Sequence, residues 1–320
     1  MFKIHRLRDQ NLLRHNAIQE VIGDKAILIS DSIELLQLIK ISLFSLRKNY
    51  VVHALELYSV SYGACRSEYQ YRWSLIPKIK YLLLKSYCGY AFAILRVSLL
   101  RNLAKKCGLM FISSDLRKQY LINEGVGFSI FVVKNKPVFS LGQKNTSDIC
   151  RKPGIVLIGN MYSMKEDFIN IVNFVVSQNV PLHCYGLSAD DETWLRNMEF
   201  SNVEIFNRVD QSAISEILKT SKFALCLYSN VSINNIYSSS SKIFEMLYYG
   251  VIPVISNNQG LEDELNSLGA NFIRIDDVSV KYSQVSNNDL LMYSEACHFS
   301  SERNTLIGHI KDFYEVDINS

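Results

Sequence analysis

The chain has 320 residues, about two allotments of the roughly 150 that one domain commonly takes, and this length predicts two domains with separate cores. Hydrophobic residues make up 48% and charged residues 20%, with 14 Gly and 5 Pro, which excludes a disordered or collagen-like chain. Lys+Arg 34 against Asp+Glu 31 leaves a formal charge of +3, so the total gives no ground for a nucleic-acid partner.

The seven cysteines (65, 88, 107, 150, 184, 226 and 297) are odd in number and scattered. They form no CxxC pair and no Cys/His cluster at zinc spacing, which reads as a reducing cytoplasm and no structural metal. Residues 1–24 interleave Lys3, Arg6, Arg8, Asp9 and Arg14 with short apolar pieces, so no secretory signal is expected. The most apolar stretch, residues 81–100, is interrupted by Lys85 and Arg96. Its longest uncharged run falls short of the roughly 20 residues a spanning helix needs.

In chain order, residues 25–30 (KAILIS) and 50–55 (YVVHAL) read as strands flanking a helix over 32–46. A long helical region follows over 75–106. Residues 109–113 (LMFIS) form a third strand, followed by a helix over 115–124 and a strand over 129–133. The polar stretch 136–153, with two Pro and one Gly, is the expected linker. Beyond it, strands are predicted at 155–158, 182–185, 203–206, 223–227, 252–255 and 272–275. Helices at 165–178, 190–198, 212–219, 242–249 and 261–268 alternate with them, and helical runs after Asn288 close the chain. This alternation predicts parallel βαβ units and doubly wound sheets.

The most informative segment is SSSSKIFEMLYYGVIPVIS, residues 238–256. Four hydroxyl residues precede a helix that opens with Lys242, so free N–H groups, the positive helix end and an ammonium would converge on a diphosphate. Glu245 lies three residues on, on the same face, where it could accept hydrogen bonds from a ribose diol. A capped amphipathic helix with a surface Lys/Glu pair fits the same residues.

SKIFEMLYYGVIPVIS resembles the signature of GT-B glycosyltransferases, especially the large retaining bacterial family, glycosyl transferases group 1. The order of other motifs agrees. Gly159-Asn160 with Lys165 resembles the family's glycine, basic residue and lysine; LHCYG at 182–186 resembles its next strand and glycine; residues 257–260 resemble its loop facing the donor sugar. VVHALELYS at 51–59 and the segment 103–133 resemble motifs of its first domain. The resemblance runs from about residue 26 to the C-terminus.

It implies an α/β chain of the GT-B class: two Rossmann-like doubly wound domains facing a cleft, the first shortened. The expected domains are 1–140 on the acceptor side, 150–300 for the nucleotide sugar, and a C-terminal helix over 301–320. The implied donor-binding residues are Gly159, Asn160, Lys165, Ser240, Ser241, Lys242, Glu245 and Gly260. No cofactor and no metal are expected; the nucleotide sugar is a substrate, and a glycan or lipid-linked glycan is the acceptor. The implied reaction serves bacterial cell-surface polysaccharide synthesis, O-antigen or capsule. Two departures bear on stereochemistry and charge. Tyr237 stands where retaining members carry the first of two Glu, and Asn160 stands in place of a basic residue. Retention is the family expectation; if the enzyme inverts, Asp31 or Glu56 is the candidate base. A non-catalytic GT-B subunit supporting a partner transferase, and a GT-B nucleotide-sugar epimerase, are the alternatives.

Other chemistries lack their motifs. There is no Asp-x-Asp, GxxxxGK[ST], GxGxxG or GxSxG, and the acidic runs 190–192 and 276–277 read as a helix start and a surface turn. His53 falls at a predicted strand end and His183 inside a strand. Between Glu68 and Asp115 lies no acidic residue, whereas Arg72, Lys78, Lys80, Lys85, Arg96, Arg101, Lys105 and Lys106 all do. With Trp73, Tyr81 and Phe92 among them, this region fits peripheral contact with the anionic inner face of the cytoplasmic membrane. A buried helix with one solvated basic face fits equally.

Overall fold

The computed structural model describes residues 20, 27–30, 50–54, 95, 98–100, 102–106, 108–137, 151–159, 165–198, 200–228, 233–285 and 296–318. They belong to two compact units. The first takes Met1–Val138, Val231–Ser239 and Phe299–Ser320; the second takes Phe139–Asn230 and Ser240–His298.

The first unit is built on a parallel sheet in the order β1-β2-β3-β4, with β1 Ile27–Ser30, β2 Tyr50–Ala54, β3 Leu109–Ile112 and β4 Ser129–Val132. β3 is buried at all four residues, as a strand covered on both faces must be. Met110 and Ile112 pack with Leu100, Leu103 and Ala104 of the helical residues 98–100 and 102–106 and with Leu121 of α1 (Asp115–Asn123). Leu109 and Phe111 point the other way, onto Leu306 and Ile310 of the C-terminal helix. Burying each such side chain contributes about 1.5–3 kcal/mol.

Ser114 caps α1 by accepting from Arg117 N, and its hydroxyl donates to the Tyr237 carbonyl at 2.6 Å. The Tyr237 ring lies 6.1 Å from that of Tyr120. Lys136 and Glu302 form a buried ion pair at 2.7 Å, and Lys134 N donates to the same carboxylate at 2.8 Å.

The second unit carries a six-stranded parallel sheet in the order β10-β9-β8-β5-β6-β7. In chain order its elements are β5 Lys152–Ile158, α2 Lys165–Ser177, β6 Leu182–Tyr185, α3 Ala189–Arg196, β7 Val203–Phe206, α4 Gln211–Thr220 and β8 Ser221–Cys226. After the short α5 (Ile233–Ile236) of the first unit come α6 Ser241–Tyr248, β9 Ile252–Ile255, α7 Gln259–Ser267, β10 Ile273–Arg274 and α8 Val278–Lys281, and then α9 Phe299–Ile318, which belongs to the first unit. β5 alternates: Ile155 and Leu157 meet Phe168, Ile171, Val172 and Val175 of α2, while Val156 joins Ala224 and Cys226 against α6 and α7.

Several expectations differ in detail. β5 begins at Lys152, so the end of the expected linker is strand. Pairing with β8 shifts register between Lys152 and Ile155, where Gly154 sits at φ +126°; a Cβ there would meet the Pro181 carbonyl at 2.8 Å. The short α5 and its return to the first unit had no sequence signal, and α9 runs Phe299–Ile318 where a helix over 301–320 was expected. The expected helix 32–46, most of the helical region 75–106 and residues 138–150 lie outside the described residues. Among the described residues no helix is long and apolar enough to cross a membrane.

Candidate functional site

Strand order fixes where a ligand would go. From β5 the chain runs outward through β6 and β7, then returns with β8 on the other side of β5, so the winding reverses between β5 and β8. In open parallel sheets the crevice at the carboxyl ends beside such a reversal is the ligand site. β5 ends there at Ile158, β8 at Cys226, and α6 starts above them.

Lys242 occupies that point. Its ammonium donates to the Ile158 carbonyl at 3.0 Å, leaving two of three donors for a ligand. Gly159, next along, holds φ +92° and donates its N–H to the Tyr185 carbonyl at 2.8 Å. A Cβ on Gly159 would stand 3.3 Å from Lys242 Nζ, so glycine lets the chain end pass close to the ammonium.

The helix end is held by a polar network. Ser240 caps α6, accepting from Lys242 N at 3.2 Å. Its hydroxyl also meets Tyr228 Oη at 3.1 Å and takes a bond from Cys226 Sγ at 3.7 Å. Ser256, just past β9, both accepts from Tyr228 N at 2.9 Å and donates to Tyr228 O at 2.8 Å. Ends of β8, β9 and α6 are thereby fixed to one another. Of the four hydroxyl residues 238–241, only Ser241 is not buried. Ser240 therefore positions the helix, and Ser241 is the hydroxyl that a ligand can reach.

Glu245, half-buried on α6, accepts from the side chain of Gln211 at the start of α4. Burial pushes its carboxyl above the usual range, against the opposing Gln211 hydrogen bond and Lys242 charge. Gly260 is the second residue of α7, buried, on a helix capped by Asn258, whose side chain accepts from Leu261 N at 3.1 Å. Its neighbour Asn257 is bonded to Asp276 at 2.5 Å. Lys165 is the first residue of α2. Asn160, Asp31 and Glu56 lie outside the described residues, although Asp31 directly follows the last residue of β1.

The second unit therefore brings Gly159, Ser240, Ser241, Lys242 and Glu245 together around one helix end. Sequence reasoning missed Tyr228, Cys226 and Gln211, and gave Ser256 no role. They lie outside the α6 segment or at its far end, and only strand pairing joins them. The acidic run 190–192 is the first turn of α3, capped by Ser188, and His183 lies 3.6 Å from Glu204 and edge-on to Phe206. Among the described residues no three His, Cys, Asp or Glu side chains gather as a metal site.

Two Rossmann-like units of this kind make the GT-B fold, and solved structures agree. Sucrose-phosphate synthase from Thermosynechococcus elongatus matches at TM-score 0.60 and 8% identity, over 98% of this chain and 82% of that one. Anabaena Alr3699/HepE, solved in complex with UDP-glucose, matches at TM-score 0.57 and 12% identity, over 93% and 82%. A Listeria monocytogenes protein assigned as a UDP-N-acetylglucosamine 2-epimerase matches at TM-score 0.51 and 12% identity, over 98% and 82%. The glycosyltransferase AviGT4 is matched over only 64% of its length, at TM-score 0.46. No family model matches the sequence, and the search of curated proteins found no match.

Proposed function

We propose that the chain is a glycosyltransferase that moves a sugar from a nucleotide-sugar donor to a glycan acceptor in bacterial cell-surface polysaccharide synthesis. The observation that carries this reading is the Lys242 ammonium at the carboxyl end of β5, on the N-terminal turn of α6 and three residues before Glu245. In this reading Lys242, Lys165, Ser241 and the α6 N–H groups stabilise the departing diphosphate, and Glu245 takes the ribose diol. The positive helix end supplies the charge, so the transfer runs without a metal and should persist in EDTA. Gly260 and the loop before α7 face the donor sugar, and Asn160 is a further donor-binding residue. Transfer retains configuration at the anomeric carbon; Asp31 or Glu56 serves as base if it inverts.

A panel of UDP-, GDP-, CMP- and dTDP-sugars tests the reading by thermal shift, because a ligand that binds only the folded state raises its melting temperature. Stabilisation by one donor class, followed by sugar release in the presence of a glycan acceptor, supports transfer. No stabilisation by any donor overturns it. Interconversion of the free nucleotide sugar without an acceptor would mark the epimerase, the reading favoured by the Listeria likeness.

The basic segment 72–106 docks the enzyme on the inner leaflet, where a lipid-linked acceptor would reside. Co-sedimentation with anionic vesicles should fall with salt and with Lys78, Lys80 and Lys85 changed to Gln. Equal pelleting with neutral vesicles, or none with either, would overturn the docking.

A further inference from the structure

Two polar bonds lock α4 to α6. The Gln211 amide donates to Glu245 Oε1, and the Tyr249 hydroxyl donates to Ser215 Oγ at 2.8 Å. Residues 211 and 215 are one helical turn apart on α4, as 245 and 249 are along α6 and its C-cap, so the bonds form two rungs of one ladder. Gln211 is itself set in place by the α4 cap, where Asp210 accepts from Ala213 N at 2.9 Å and from Ser212 Oγ at 2.7 Å. A carboxylate offers about four lone-pair sites, and Gln211 uses one oxygen.

We propose that Gln211 is a positioning residue that fixes the Glu245 carboxylate in one orientation, so that it selects a donor carrying a ribose over one carrying a deoxyribose. The inference rests on the nucleotide-sugar reading above. Burial alone would favour the neutral acid, which has less capacity to accept from two hydroxyls; Gln211 and Lys242 oppose it. The other groups facing this point are Tyr249, which feels the Glu245 charge, and Glu216 of α4, which acts on Tyr249.

Calorimetry of the full chain with UDP, GDP and ADP and their 2′-deoxy counterparts, between pH 5 and pH 8, tests the proposal. Gln211→Met should reduce the ribo-over-deoxy preference about fivefold, the scale of one hydrogen bond. It should also move the acid-side loss of affinity to higher pH. In a Glu245→Gln background the same change should alter neither quantity. Should Gln211→Met unfold, Gln211→Asn, with its shorter amide, reads both. An equal loss for both sugars, or an unchanged effect in the Glu245→Gln background, would overturn the role of Gln211 while leaving the nucleotide site standing. Absence of any nucleoside diphosphate binding to the unaltered chain would overturn both.

Discussion

Lys242 and Ile158 lie 84 positions apart in the chain, yet the ammonium of one donates to the carbonyl of the other at 3.0 Å. That bond ties the first turn of α6 to the end of the central strand β5. Lys242→Ala should weaken nucleoside diphosphate binding by about 1.5–3 kcal/mol, the range for hydrogen bonds to charged groups. The fold should survive, since Ser240 still caps the helix. Unchanged affinity by calorimetry would remove this helix end as the diphosphate site.

Gly159→Ala probes the same point from the strand side. At φ +92° a side chain strains the backbone by about 1–3 kcal/mol, and the new Cβ would press on Lys242 Nζ from 3.3 Å. Melting temperature and nucleotide affinity should both fall. Combining it with Lys242→Ala should relieve the crowding but not the backbone strain, so a double-mutant cycle in urea separates the two.

The Lys136–Glu302 pair should govern the stability of the first unit, because both side chains are about nine-tenths buried at 10% and 8% exposure. Glu302→Gln leaves the Lys136 charge buried without its counter-ion and should cost about 3–5 kcal/mol. Replacing both by Lys136→Met and Glu302→Leu should cost less. A residual loss of about 1 kcal/mol should remain, because Lys134 N loses its acceptor. Urea unfolding of the three variants checks the order.

Much of this architecture was legible in local pattern. Strands 182–185, 203–206 and 252–255 coincide with β6, β7 and β9, because short β-rich runs bounded by turns leave little freedom. Lys242 and Glu245 were legible too, since both lie on one turn of one helix. Ser240 was legible as a hydroxyl but not as the hub joining Cys226 and Tyr228. That role depends on β8 and α6 meeting, which no local spacing encodes. The excursion Val231–Ser239 was hidden for a related reason: what holds Tyr237 is a contact with Ser114, 123 positions earlier.

Cys184, in the middle of β6, should make the second unit sensitive to alkali. Burial pushes its thiol from the ordinary 9.0 up to about 12. The folded state therefore keeps a proton that the unfolded chain releases above about pH 9. Its stabilising contribution is fully present below that pH and is lost as pH rises toward 12, by about 1.4 kcal/mol per pH unit. Urea unfolding at pH 8.5 and pH 10.5 should show a smaller fall for Cys184→Ala than for the unaltered chain. At pH 8 a thiol reagent should reach Cys184 only after unfolding.

Neither unit is a contiguous stretch of sequence: the first is assembled from three pieces and the second from two. Truncation at Val138 would thus yield no independent first domain, because Leu109, Phe111 and Val133 would lose Leu306 and Ile310, and the Ser114 hydroxyl would lose Tyr237. On a ribosome, Leu109 and Phe111 of β3 must wait for α9 before Leu306 and Ile310 can cover them. Packing of that face is in this sense completed by a helix made long after the strand it covers, with the whole second unit translated in between.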